Sequence, residues 1–439
     1  MNKKWVQGLY GELPQLVAQE VLTPEVAERL HAHYGAVEPA RLAVVLFGVF
    51  GALLIGAGVI LVLAHNWEDL SRPVRAGLSF LPLAVAQGLA AWALAKRSQS
   101  VAWREGAASL VFLMIGASIS LVAQTYNISG DLPRFILAWS LLGLPLVYLF
   151  DALVPAVLYL WAITEWACHL RCEDGFNGGY WILAALLLPQ LVRWLRAGSY
   201  LTRPTVLLWA ACVSVTVAAG VTLERVLPGL WIMLYAGLFA LMFLVGEFWL
   251  SEADGFWSRP LRHFGAAGVL VLSFMLTFEW PWHEIGWHYW AGDHCRELSW
   301  RVIPDAVLGS VIPLGALVLL VMTVRRKTPL GLLFGCVPIL AAVGYCISCL
   351  TDTYAPSAGL FDLYVLVVGL WLLVTGLRIA KQGQMNIGLL ALASLVLARF
   401  FDSDLSFLLR GLVFIVLGIA FLGANVVMLR RKGVSHEQA

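Results

Sequence analysis

Acids and arginines crowd into a few short connections between long apolar runs. The first is His65-Asn66-Trp67-Glu68-Asp69-Leu70-Ser71-Arg72-Pro73-Val74-Arg75, with two acids and two arginines in eleven residues. Gln124, Tyr126, Asn127, Asp131 and Arg134 share one turn, Glu165 and His169 end another run, and Arg399, Asp402, Asp404 and Arg410 lie near the carboxyl end. A guanidinium fork binds phosphate or carboxylate bidentately, and an acid beside it either holds the fork in place or acts as a base or metal ligand. Glu68, Asp69, Arg72, Arg75, Gln124, Tyr126, Asn127, Asp131, Arg134, Arg399, Asp402, Asp404 and Arg410 together suit an anionic small molecule or lipid headgroup. The plainer alternative is that these acids and arginines pair with one another to close their loops.

The stretch Gln124–Arg134 carries turn chemistry: Gly130 is expected to take a positive φ, and Pro133 to open the next helix. Gln124 and Tyr126 are not turn formers and fall where an apolar run meets water. A second distinctive stretch, Glu279–Arg301, holds Trp280, Trp282, Trp287, Trp290 and Trp300 interleaved with His283, His288, His294 and Cys295. Tryptophan settles at the headgroup level, so the stretch reads first as an interfacial segment. His283 and His288 are five apart rather than the four of a helical zinc pair, and no metal or cofactor is expected. Seven cysteines cannot all pair; Cys172 with Cys295 is a plausible disulfide, while Cys212, Cys336, Cys346 and Cys349 fall in apolar runs as small buried filler. No phosphate-cradling glycine loop, serine elbow or zincin motif appears, which lowers the case for a nucleotide-driven pump or a hydrolase.

The elements that must position these groups are helices in lipid. Hydrophobic residues make up 60% of the chain and charged residues 13%, about half the charged share of a soluble domain. A net charge of +2 gives no reason to expect nucleic acid. About fourteen apolar runs approach the roughly 20 residues that span a bilayer, at 42–64, 76–95, 106–124, 135–150, 152–170, 180–196, 204–223, 227–250, 263–280, 304–324, 329–350, 359–378, 385–400 and 406–429. Runs four and five are separated by little more than Asp151 and could be one kinked unit or a tight hairpin. With the amino terminus inside, twenty of the 29 basic residues fall on inner connections, as the positive-inside rule requires. The expectation is an all-α polytopic transmembrane bundle over 42–432 with both termini cytoplasmic. Before it lies a cytosolic helical segment over 1–41, a candidate protein-docking module, and after it a tail over 433–439. Nothing near Met1 resembles a signal peptide, and Thr23-Pro24-Glu25 is a good helix start. Asp69-Leu70-Ser71 with Arg75 echoes Asp404-Leu405-Ser406 with Arg410, a hint of an internal repeat.

Asn66-Trp67-Glu68 after the first run, the Gln124-x-Tyr126-Asn127-x-x-Gly130-Asp131 turn, and Arg399-Phe400-Phe401-Asp402 before a last run ending in Arg430-Arg431-Lys432 resemble a bacterial family of predicted multi-pass membrane proteins catalogued as a domain of unknown function. The likeness is best over residues 10–150. It implies an inner-membrane location and brings no activity, ligand or catalytic residue. Three functions follow from the residues. The first is a secondary transporter or translocator of an anionic or lipid-linked substrate, with Gln87, Glu165, Gln190, Glu247 and Asn425 at membrane depth. The second is a lipid-linked glycosyl or phosphoryl transferase with Glu68 or Asp69 as base. The third is a non-catalytic scaffold.

Overall fold

A computed structural model describes residues 16–17, 21–34, 54, 71–173, 175–197, 202–223, 229–249, 256–283, 302–326, 328–351, 353–379, 381–402, 415, 418–419 and 423. Every regular element among them is helical. The chain divides into two compact units, residues 1–77 and 78–439. In the first, α1 runs Pro24–Tyr34, opening at the expected Thr23-Pro24-Glu25 start with Glu25 in its first turn.

The remaining helices are α2 (Arg72–Lys96), α3 (Val101–Tyr126), α4 (Leu132–Phe150), α5 (Leu153–Cys172), α6 (Tyr180–Ala185), α7 (Leu188–Ala197), α8 (Thr202–Thr222), α9 (Leu230–Trp249), α10 (Pro260–Met275), α11 (Val302–Arg326), α12 (Pro329–Gly335), α13 (Val337–Leu350), α14 (Ala355–Arg378) and α15 (Gln382–Asp402). Among the described residues nine helices are long and apolar enough to cross a membrane, with α12 and α13 taken as one, and α10 is a shorter apolar helix. Twelve of the predicted runs coincide with these helices; runs 42–64 and 406–429 fall almost wholly outside the described residues. Runs four and five are separate helices. Asp151 takes the left-handed conformation (φ 51°) between them, which a short polar side chain tolerates, and α4 and α5 pack against each other as a tight hairpin.

Helices pack here through small residues, because lipid removes the hydrophobic drive that would otherwise join them. Ala86, Ala90 and Ala93 of α2 bury together with Ala107, Ala108 and Val111 of α3. At Gly265 of α10, an added Cβ would lie 2.4 Å from the Phe243 backbone nitrogen of α9. At Gly388 of α15, it would lie 2.6 Å from that of Leu373 on α14. The outward faces are apolar at helical spacing: Leu81, Val85, Leu89 and Trp92 on α2, and Val311, Leu314, Val318 and Val321 on α11, are all exposed. Such stripes would be a liability in water and are what a lipid-facing surface requires.

Two apolar runs are interrupted. Pro189 stands at the start of α7 and Pro338 at the start of α13, each removing an amide that a continuous helix would use. Nearby carbonyls are taken up by tyrosines of neighbouring helices. Tyr148 donates to Leu186 O, Tyr159 to Leu183 O at 2.9 Å, and Tyr364 to Leu333 O at 2.8 Å.

Candidate functional site

The residues read as one outer site do not form one among the described residues. Glu68, Asp69, Asp404 and Arg410 lie outside them, and with them the Asp-Leu-Ser echo; of Asp402 only the helical backbone is described. Arg72 and Arg75 open α2, where Ser71 O accepts from the Arg75 amide. The Gln124–Arg134 turn is largely a pair of helix caps. Asn127, rather than Gly130, takes the positive φ (49°) and closes α3, because asparagine tolerates that conformation and its own amide can then reach the last carbonyls. Asp131 caps α4 by accepting from the Arg134 amide at 2.8 Å, and its other oxygen lies 3.1 Å from Arg134 Nε. Pro133 lies in the first turn as expected. Gln124 and Tyr126 are exposed beside it. Glu165 and His169 make a local pair at 3.9 Å.

Arg399 is different. Its guanidinium leaves α15 to meet Asp362 of α14, with Nε 3.1 Å and Nη2 3.0 Å from Oδ1, and it also donates to Thr277 O beyond the end of α10. Asp362 lies seven residues into α14, about 10 Å along the helix axis. Three helices thus meet at one charge pair within the bundle, with both side chains about one-third exposed. Beside it the Trp282 ring packs on Phe361 at 5.8 Å, and its Nε1–H donates to Leu276 O. Trp282 is therefore buried inside the bundle, while Trp280 stays exposed as an interfacial tryptophan would. Residues 284–301, including Cys295, are outside the described positions. Cys346 and Cys349 are exposed rather than buried filler. Ala341, Gly344 and Ser348 form the buried face of α13, and the two cysteines sit on its other side.

The densest charged cluster among the described residues lies elsewhere, around Asp151. Asp151 Oδ1 accepts from Gln190 Nε2, Arg193 Nη2 and Trp194 Nε1, each at 2.7 Å, and Oδ2 accepts from Arg203 Nη1 at 2.7 Å. Arg104 Nη1 stands 3.8 Å away. Glu105, next to it on α3, accepts the Leu153 and Val154 amides at 2.8 and 2.9 Å and so caps α5. Burial pushes the Asp151 carboxyl up, but the Trp194 and Gln190 hydrogen bonds and the Arg193 and Arg203 charges outweigh it and hold the carboxyl below the ordinary range. Helices α3, α4, α5, α7 and α8 are pinned together at one end of the bundle. The signal in the sequence is the lone acid between runs four and five.

Between the ends runs a band of hydroxyl groups. Ser214 of α8 meets Thr164 of α5 and Tyr180 of α6, each at 2.6 Å. Of the residues expected at membrane depth, Gln190 joins the Asp151 junction, Glu247 pairs with Arg262 Nε at 2.8 Å, and Gln87 faces outward. No group of acids, histidines and cysteines among the described residues could hold a metal ion.

No curated protein and no solved structure matches the chain. The apolar helices and the sequence comparison agree: the chain is a multi-pass membrane protein, and its residues 14–156 match the model of the family described as "Predicted membrane protein (DUF2157)", so the likeness to a membrane family of unknown function holds over that third of its length.

Proposed function

We propose that the protein is a secondary transporter or translocator of an anionic small molecule or lipid-linked substrate. It would sit in a bacterial inner membrane with about fourteen spans, both termini cytoplasmic, and its substrate groups toward the periplasmic side. The observation that carries this reading is the Arg399–Asp362 pair. An arginine inside a bundle is costly unless it has work to do, and this one is held on a carboxylate that an incoming phosphate or carboxylate could replace. Asp362 then serves as the resident counter-ion that keeps the fork extended between substrates. The interruptions at Pro189 and Pro338 lend support, since transporters place their sites and moving parts at broken helices.

The test is flux. Purified protein in liposomes is offered inorganic phosphate, a dicarboxylate, a sugar phosphate and a fluorescent short-chain phosphatidylglycerol whose flipping is read by dithionite quenching. At least one probe should move faster than in empty liposomes. Arg399→Ala should slow it by about tenfold or more, since a lost charge-assisted fork exceeds the roughly 1.4 kcal/mol that a factor of ten represents. Arg399→Lys should recover part of the rate. Movement of no probe, or full flux in Arg399→Ala protein, sinks the reading.

A further inference from the structure

The Asp151 junction is short of acceptors. Asp151 already accepts four hydrogen bonds, from Gln190, Arg193 and Trp194 on Oδ1 and from Arg203 on Oδ2. Glu105 spends both oxygens on the first amides of α5. Among the described residues three guanidinium groups therefore face two carboxylates that already accept hydrogen bonds, one positive charge more than the acids there balance. Arg104 Nε is buried and finds no acceptor among the described residues, and Gln190 Oε1 nearby finds no donor. Arg193 commits one nitrogen to Asp151 and leaves its side chain 59% exposed.

We infer that Arg104 and Arg193 hold a phosphate-bearing anion at this end of the bundle. Both reach the same carboxylate, at 3.8 and 2.7 Å, which bounds the two nitrogens to within about 9 Å of each other; a phosphate accepting a hydrogen bond of about 2.8 Å on either side fills a gap of that order. A phosphate group brings three or more acceptor oxygens to the unmet donors, where a carboxylate brings two. The ligand has two sources: a phospholipid headgroup or a soluble phosphate. The surroundings favour the lipid, because α7 exposes Leu188 and Val192 beside Arg193 and Arg196, as an interfacial helix does. Basic pockets between helices at the cytoplasmic surface are where anionic headgroups lodge. This site stands whether or not the protein translocates anything.

Thermal unfolding of the full purified chain tests it, with three probes: phosphatidylglycerol in mixed micelles, phosphatidylcholine in the same micelles, and inorganic phosphate against chloride at equal ionic strength. A rise in Tm with phosphatidylglycerol alone identifies a lipid headgroup; a rise with inorganic phosphate identifies a soluble ligand. Either rise should vanish in Arg104→Gln and Arg193→Gln proteins, and Arg193→Lys should keep part of it. Purely structural arginines would give variants with a lower starting Tm but an undiminished rise. That outcome, or no rise with any phosphate-bearing probe, overturns the site. Should Arg104→Gln fail to fold, the exposed Arg193→Gln decides.

Discussion

At the scale of single residues, Asp151 and Arg399 hold opposite places in what the sequence disclosed. An arginine beside acids at the end of an apolar run suits an anion, and Arg399 does reach into the bundle, but its partner Asp362 lies on another helix, 37 positions away. In the sequence Asp151 stands only as a separator of two runs. Nothing in its neighbourhood announces that Gln190, Arg193, Trp194 and Arg203 converge on it from about 40 to 50 residues downstream. Replacing it as Asp151→Asn strands those donors. The loss of one partner from a buried pair costs about 3–5 kcal/mol, and partial exposure here should bring it to the lower end, read as a fall in unfolding free energy in denaturant. The pH dependence has a definite sign. The folded carboxyl is held below the ordinary range, so its contribution is complete above the unfolded value, about pH 4, and disappears as the pH drops through the lower folded value. Wild-type stability should decline across that acid window, and the Asp151→Asn variant should begin lower and lose less. An identical acid profile in both would mean that the charge on Asp151 contributes nothing.

At the scale of elements, apolar run length and basic clusters made most helices legible, and Pro133 and Thr23-Pro24 marked two of the starts. The interruptions were less visible. Pro189 and Pro338 stand in the sequence, but proline is common in membrane helices, and whether it breaks one depends on what meets the freed carbonyls. Here tyrosines on α4, α5 and α14 do so. Tyr159→Phe should therefore cost about 0.5–1.5 kcal/mol, since Leu183 O keeps only its local 3.2 Å bond from the Leu186 amide; an unchanged unfolding midpoint would show that the hydroxyl is not needed there. Helix contacts were likewise hidden, because small residues are scattered through every span and only some meet a neighbour. Gly265 does, with its missing Cβ 2.4 Å from the Phe243 nitrogen, whereas nothing stands within 4 Å of one added at Gly88. Gly265→Ala should push α9 and α10 apart at a cost of about 1–3 kcal/mol. Gly88→Ala should stabilise α2 by up to about 1 kcal/mol. Equal effects at the two positions would remove the close approach as the reason for glycine in α10.

At the scale of the whole molecule, sidedness links the two polar ends. Arg104, Arg193 and Arg203 converge on a single point. Asp151 joins them because α4 and α5 form a hairpin that brings its tip to the same end. Helices α2 and α3 run 25 and 26 residues, about 38 Å each and so longer than the roughly 30 Å hydrocarbon layer. Where α3 crosses, the connection before it and the turn after it lie on opposite faces of the membrane. Single cysteines at Ser98 and Ser129, both exposed, placed in a chain whose native cysteines are replaced, report which face is which. A membrane-impermeant maleimide applied to intact cells with a permeabilised outer membrane should label Ser129→Cys, and label Ser98→Cys only after lysis. The reverse pattern would put the Asp151 junction against the outer leaflet and the Arg399–Asp362 pair toward the cytoplasm, which ends the periplasmic-site reading while leaving the phosphate site open to the Tm test. Labelling of both positions in intact cells would mean that α3 does not cross.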